Sequence, residues 1–102
     1  MHYRFLCPGH RHWLTRHPEN VLPVWKDAME ASHRQVCKGQ WQNALKFAGT
    51  AFEAARLMVN NPQYCDRLWI QRWSASEALL RMVVQGLSGI DRVAVPASAS
   101  VH

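Results

Sequence analysis

The stretch from Gly39 to Pro62, GQWQNALKFAGTAFEAARLMVNNP, decides the fold of this 102-residue chain. It begins with a glycine and ends with Asn-Asn-Pro, and both are typical helix-stopping signals. Between them apolar side chains recur at three- and four-residue spacing, which is the spacing of one helical face. That face holds Trp41, Ala44, Leu45, Ala48, Ala51, Phe52, Ala55, Met58 and Val59. The opposite, polar face holds Gln42, Lys46, Gly49, Glu53, Arg56 and Asn60. We therefore predict an amphipathic helix over residues 41–60.

A second helix is predicted immediately before this one, over residues 21–38. Its apolar stripe is Leu22, Trp25, Ala28, Met29, Ser32 and Val36. Lys38 followed by Gly39 is typical of a helix C-terminus, because a cation suits the last turn and glycine tolerates the left-handed conformation beyond it. The connection is short, so the two helices are expected to form an antiparallel hairpin.

A third helix is predicted over residues 62–87, with Asn61 as its cap and Pro62 at its first position. One apolar seam holds Trp69, Trp73, Ser76, Leu80, Val83 and Leu87. A second seam beside it holds Cys65, Leu68, Ala75, Leu79 and Met82. An apolar arc this wide predicts a helix that is covered on more than one side. If the first two helices do not cover it, a second subunit is the simplest cover, so a dimer is possible.

The fold class is therefore all-α, with three main antiparallel helices at 21–38, 41–60 and 62–87. Residues 1–20 are predicted to form an irregular, histidine-rich arm, and residues 88–102 a flexible tail. Within the arm we expect a short extended segment at Tyr3, Phe5 and Leu6, a tight turn at Cys7–His10, and an anchor into the core at Trp13 and Leu14.

Composition limits the classes of function. Hydrophobic residues make up 48% of the chain, as expected for one folded domain. The net charge is +5, but the arginines are scattered, whereas a nucleic-acid interface usually has a basic stripe. No window contains the ~20 apolar residues of a membrane span, and no apolar secretory segment follows Met1. Three cysteines do not suggest a disulfide framework, so we expect free thiols and a cytoplasmic location.

The turn and the second helix of the hairpin resemble a tetratricopeptide repeat. Gly39, Trp41, Ala44, Leu45 and Ala51 match that family's glycine turn, following aromatic residue and small helix-B residues. Asn60-Asn61-Pro62 is similar to its end-of-repeat signal, and Ser32 keeps the small residue at the helix crossing. Ala28, Ala31 and Gln35 depart from the pattern, because the family prefers larger residues there. The resemblance covers one repeat, and it implies a module that binds peptides or partner helices and catalyses no reaction.

The sharpest chemical pattern is a pair of Cys/His motifs. Cys7 and His10 lie in the predicted turn, and His33 and Cys37 lie one helical turn apart on the predicted 21–38 helix. Two such pairs can supply the four ligands of a tetrahedral zinc site, with His12 or His17 as substitutes. The alternative interpretation is a histidine-rich surface arm together with ordinary helix residues.

No catalytic motif is recognisable in the chain, so we expect no enzyme activity. Cys37 beside His33 is a minimal nucleophile–base pair, but no oxyanion loop lies near it in the sequence. The first hypothesis is a protein-interaction module that binds a partner, or a second copy, through apolar surface on the helices at 41–60 and 62–87. The rival is a zinc-stabilised regulatory domain that binds nucleic acid through its basic arm. A third is a thiol sensor that pairs Cys7 with Cys37.

Overall fold

The computed structural model describes the backbone of residues 6–94 and the side chains of residues 6–89. Within that part of the chain every regular element is helical, which confirms the all-α prediction. The elements are α1 (Pro8–Arg16), a 3₁₀ turn (Pro18–Asn20), α2 (Val21–Cys37), α3 (Trp41–Val59) and α4 (Arg67–Ala94). None of these helices is long and apolar enough to cross a membrane.

The α2–α3 hairpin forms where the sequence predicts it. Gly39 adopts a φ of +73°, the left-handed conformation that glycine accepts without steric cost. The Gln40 N–H donates to the Gln35 carbonyl at 2.8 Å, and the Gly39 N–H donates to the Val36 carbonyl at 3.0 Å. These two bonds form a Schellman motif that satisfies the last carbonyl groups of α2.

α4 begins five residues later than predicted, because Asn61 and Asp66 have different roles. Asn61 stabilises a separate turn: its side-chain oxygen accepts from the Gln63 N–H at 3.0 Å. The cap of α4 is Asp66, whose carboxylate accepts from the Trp69 N–H at 2.8 Å. Pro62 therefore lies in the connection and not at the first helical position.

α4 also continues past its predicted end to Ala94, so residues 88–94 of the predicted tail are helical. Ser88 and Gly89, which follow the predicted end, do not break the helix. A Cβ atom at Gly86 would collide with the indole ring of Trp41, so the glycine allows α3 and α4 to approach closely. The remainder of the predicted tail, residues 95–102, lies outside the described residues.

The predicted irregular arm contains a helix, α1, where a turn at Cys7–His10 was expected. Pro8 lies at the start of α1, where a missing N–H is tolerated, and Cys7 Sγ accepts from the His10 N–H at 3.3 Å. Leu14 is fully buried, as predicted, but Trp13 is 45% exposed and is not an anchor. The extended segment predicted at Tyr3 and Phe5 lies outside the described residues.

α3 is the central helix, and its alanines explain why. The five alanines Ala44, Ala48, Ala51, Ala54 and Ala55 are all fully buried. Small side chains let both α2 and α4 pack closely against α3. α2 and α4 meet at Trp25, whose indole N–H donates to Ser76 Oγ at 2.7 Å and whose ring lies 6.4 Å from the Trp69 ring, centroid to centroid.

Candidate functional site

An open apolar groove runs between α3 and α4, and we call it the α3/α4 groove. One hollow of about 470 Å³ is lined by Leu45, Phe52, Glu53, Arg56, Leu80, Val84 and Leu87. A second hollow, of about 400 Å³, shares Phe52, Leu80 and Val84 with the first and extends to Glu77, Arg81 and Gln85. The shared residues make the two hollows one continuous surface.

Helical periodicity places these side chains on facing edges of the two helices. Leu80, Val84 and Leu87 follow one another at four- and three-residue spacing, so they line one edge of α4. The wall formed by α3 consists of the apolar Leu45 and Phe52 together with Glu53 and Arg56. Val84 is 47% exposed, so apolar surface in the groove is in contact with solvent.

Two tryptophans fix the separation of the walls. The Trp41 ring lies against the backbone of α4 at Gly86. The Trp73 ring lies 6.0 Å from the Phe52 ring, centroid to centroid, at an interplanar angle of 34°. Aromatic pairs at this separation are attractive, so Phe52 is held in place by α4. The groove is therefore a preformed feature of the packing.

Both carboxylates that line the groove lie against arginines. Glu53 is only 7% exposed. Its Oε1 accepts from Arg11 Nη2 at 2.7 Å and from the Leu6 N–H at 3.1 Å. Glu77 pairs with Arg81 at 2.9 Å, one helical turn away on α4.

The burial of Glu53 corrects the predicted polar face of α3. Glu53 was placed on the polar face opposite the apolar stripe, but the N-terminal segment covers it there through Leu6 and Arg11. The two partners lie 47 and 42 residues away in the sequence, and no local pattern indicates such a pairing. Sequence reasoning therefore missed Glu53, and it also missed Val84, which lines the groove but belongs to neither predicted seam of α4.

The four predicted metal ligands remain in two exposed pairs: Cys7 with His10, and His33 with Cys37. Among the described residues no group of three or more His, Cys, Asp or Glu side chains is placed to hold a metal ion. Cys7 and His10 begin α1, whereas His33 and Cys37 lie in the last turns of α2. The zinc hypothesis thus gains no assembled site from these residues.

The two substitute ligands and the thiols add no cluster to these pairs. His12 is exposed, and His17 Nδ1 lies 3.5 Å from a carboxylate oxygen of Glu19. Cys7, Cys37 and Cys65 are all free and exposed. The predicted thiol pair of Cys7 and Cys37 is therefore not a disulfide in this structure.

A second cleft, between α2 and α3, differs in its chemistry, and we call it the α2/α3 cleft. Its volume is about 450 Å³, and it is lined by Asp27, Ala28, Glu30, Ala31, Arg34, Phe47 and Thr50. Phe47 is its one large apolar side chain, and three of the seven lining residues carry charge. Because this cleft has a similar volume but a more charged lining, it serves as a control surface for the α3/α4 groove.

Comparison with known proteins adds no relative: no protein-family model matches the chain, and no curated protein or solved structure is significantly similar to it. The resemblance to a tetratricopeptide repeat therefore depends on the residues of the hairpin alone.

Proposed function

We propose that this chain is a protein-interaction module whose α3/α4 groove binds an amphipathic helix of a partner protein. The observation that carries the proposal is the preformed groove, whose walls come from Leu45 and Phe52 on one side and Leu80, Val84 and Leu87 on the other. A groove between two helices with apolar side chains along its walls is a common mode of binding for an amphipathic partner helix. The resemblance of the hairpin to a tetratricopeptide repeat implies the same class of function.

The dimensions of the groove favour a helix as the occupant. The α3 wall runs from Leu45 to Arg56, and the eleven helical steps between them correspond to about 16 Å. The α4 wall from Glu77 to Leu87 spans a similar length. A helix of about three turns matches this length, and two adjacent helices offer a third helix a groove for its side-chain ridge. Such recognition uses apolar anchors at positions i, i+3 or i+4, and i+7 of the partner.

Selection from a displayed library of helical peptides tests the proposal without assuming a partner. We expect enriched peptides to share an apolar stripe at helical spacing. Their binding should be weakened in a Val84→Glu variant, because a carboxylate would then be buried against the apolar stripe. At about 2 kcal/mol for that burial, the loss is about 30-fold. Val84 is half exposed, so the variant should still fold.

The matched control is Phe47→Glu, which places the same charge in the α2/α3 cleft. We expect the selected peptides to bind this variant with unchanged affinity. Selection that enriches no helical peptide, or peptides that lose binding only in the Phe47 variant, would contradict the proposal.

Light scattering on the free chain separates a foreign partner from self-association. We expect a monomer. A dimer that becomes monomeric with Val84→Glu would mean that a second copy occupies the groove, and it would overturn the assignment to a partner protein.

A further inference from the structure

We infer that the helix bound in the α3/α4 groove is acidic, with carboxylates flanking its apolar stripe. This inference depends on the proposed function, because it names the chemistry of the partner at the same site. Its basis is the distribution of charge around the groove. The walls carry Arg56 from α3 and Arg81 from α4, together with the carboxylates Glu53 and Glu77.

Both carboxylates of the groove are paired with arginines. One arginine of the groove has no carboxylate partner among the described residues. Glu53 is buried against Arg11, and Glu77 pairs with Arg81. Arg56 is exposed, and it forms no ion pair with any described residue. A partner carboxylate near Arg56 would therefore gain an unpaired guanidinium, whereas a partner lysine would find no free carboxylate among the residues that line the groove.

Arg81 can also turn to a partner at small cost. Its side chain is 74% exposed, and its bond to Glu77 is an i,i+4 surface pair. Such a pair contributes only about 0.3–0.5 kcal/mol, so its geometry can adjust. Glu77 engages Nη2 of the guanidinium, and the other N–H groups can donate to a partner carboxylate while Glu77 stays paired. The two arginines stand on opposite walls of the groove, so an acidic residue on each flank of the bound helix would meet one of them.

The charge of the whole chain acts in the same direction. At +5 it attracts an acidic segment over roughly a Debye length, about 8–10 Å at moderate salt. Charge complementarity of this kind mainly raises association rates and rejects partners of the wrong sign. The apolar residues of the two walls would supply affinity for the partner helix, and the arginines would supply specificity for acidic side chains.

The test uses one selected helical peptide in three forms, with Glu, Gln or Lys at the positions flanking the apolar stripe. Fluorescence anisotropy of the labelled peptides gives their affinities for the intact chain. We expect the Glu form to bind at least about tenfold more tightly than the Lys form at low salt, with the difference narrowing as salt is raised. Arg56→Glu should reverse this preference.

Arg34→Glu is the control, because Arg34 is an exposed arginine that lines the α2/α3 cleft. It changes the net charge by the same amount as Arg56→Glu, so it separates local contacts from the overall field. We expect the Glu form to keep its advantage in this variant.

The outcomes distinguish a failure of the acidic-partner inference from a failure of the groove as a binding site. If all three forms bind equally and Arg56→Glu has no effect, the partner is not acidic, while the groove remains a binding site. If Arg34→Glu removes the preference as fully as Arg56→Glu, the local contact is wrong. If no form binds, the proposed function fails and the inference fails with it.

Discussion

Two faces of α3 differ in the size of their side chains, and this difference separates structure from candidate function. The inner face carries Ala44, Ala48, Ala51 and Ala55, which are fully buried. The edge toward α4 carries Leu45 and Phe52, which line the groove. Small residues allow the backbones to close and leave no room for a ligand. Larger residues hold the surfaces apart and leave apolar area for a partner.

The largest loss of stability should come from a larger side chain on the inner face of α3. Ala48→Leu adds three carbon atoms at a fully buried position, and overpacking of this kind costs up to about 3 kcal/mol. Ala78→Leu is the control, because Ala78 is exposed on α4 and its replacement should change stability by no more than about 0.5 kcal/mol. Urea unfolding measures both. Equal stability of the two variants would mean that the inner face is not closely packed.

The next effect concerns the carboxylates on the two walls of the groove. Glu53→Ala leaves the Leu6 N–H and the Arg11 guanidinium without their acceptor, and it should cost about 2 kcal/mol. Glu77→Ala removes an exposed pair and should cost only a few tenths of a kcal/mol. Unfolding midpoints compare the two variants directly. A similar small cost for both would show that α1 is not fixed to α3 through Glu53.

The smallest expected change in stability comes from two glycines of α4, and the two changes should have opposite signs. Ala at either position gains about 1 kcal/mol of helix propensity. At Gly86 the new methyl group collides with Trp41, and displacement of the ring should turn the gain into a net loss of about 1 kcal/mol. At Gly89 nothing lies within 4 Å, so Gly89→Ala should stabilise the chain. Thermal unfolding tests the contrast, and stabilisation by both substitutions would contradict the close approach of α4 to Trp41.

The hairpin could be predicted because its signals are local. Apolar spacing within α2 and α3 and a glycine at position 39 act over one or two helical turns, and the structure has both helices within one residue of their predicted ends. Most of the apolar wall could be predicted for the same reason, since Leu45 and Phe52 belong to the predicted apolar face of α3, and Leu80 and Leu87 belong to a predicted seam of α4. Val84 belongs to neither seam, and only the structure places it in the groove.

The remaining features depend on contacts between distant residues. α1 is polar overall and short, and its position on α3 depends on Glu53, which lies 42 residues from Arg11. Asn61 and Asp66 are both good capping residues, and only the structure shows which of them begins α4. Gly86 lies against Trp41 of α3, and no signal within α4 indicates that contact.

The most direct test of the interaction groove is an amide NMR titration of the chain with a selected helical peptide. Binding in the α3/α4 groove predicts chemical-shift changes concentrated at Leu45, Phe52, Leu80, Val84 and Leu87. The same titration reports on the α2/α3 cleft through Ala31, Phe47 and Thr50, where little change is expected. Changes centred on those three residues, or no changes at saturating peptide, would contradict the claim that the α3/α4 groove is the binding site.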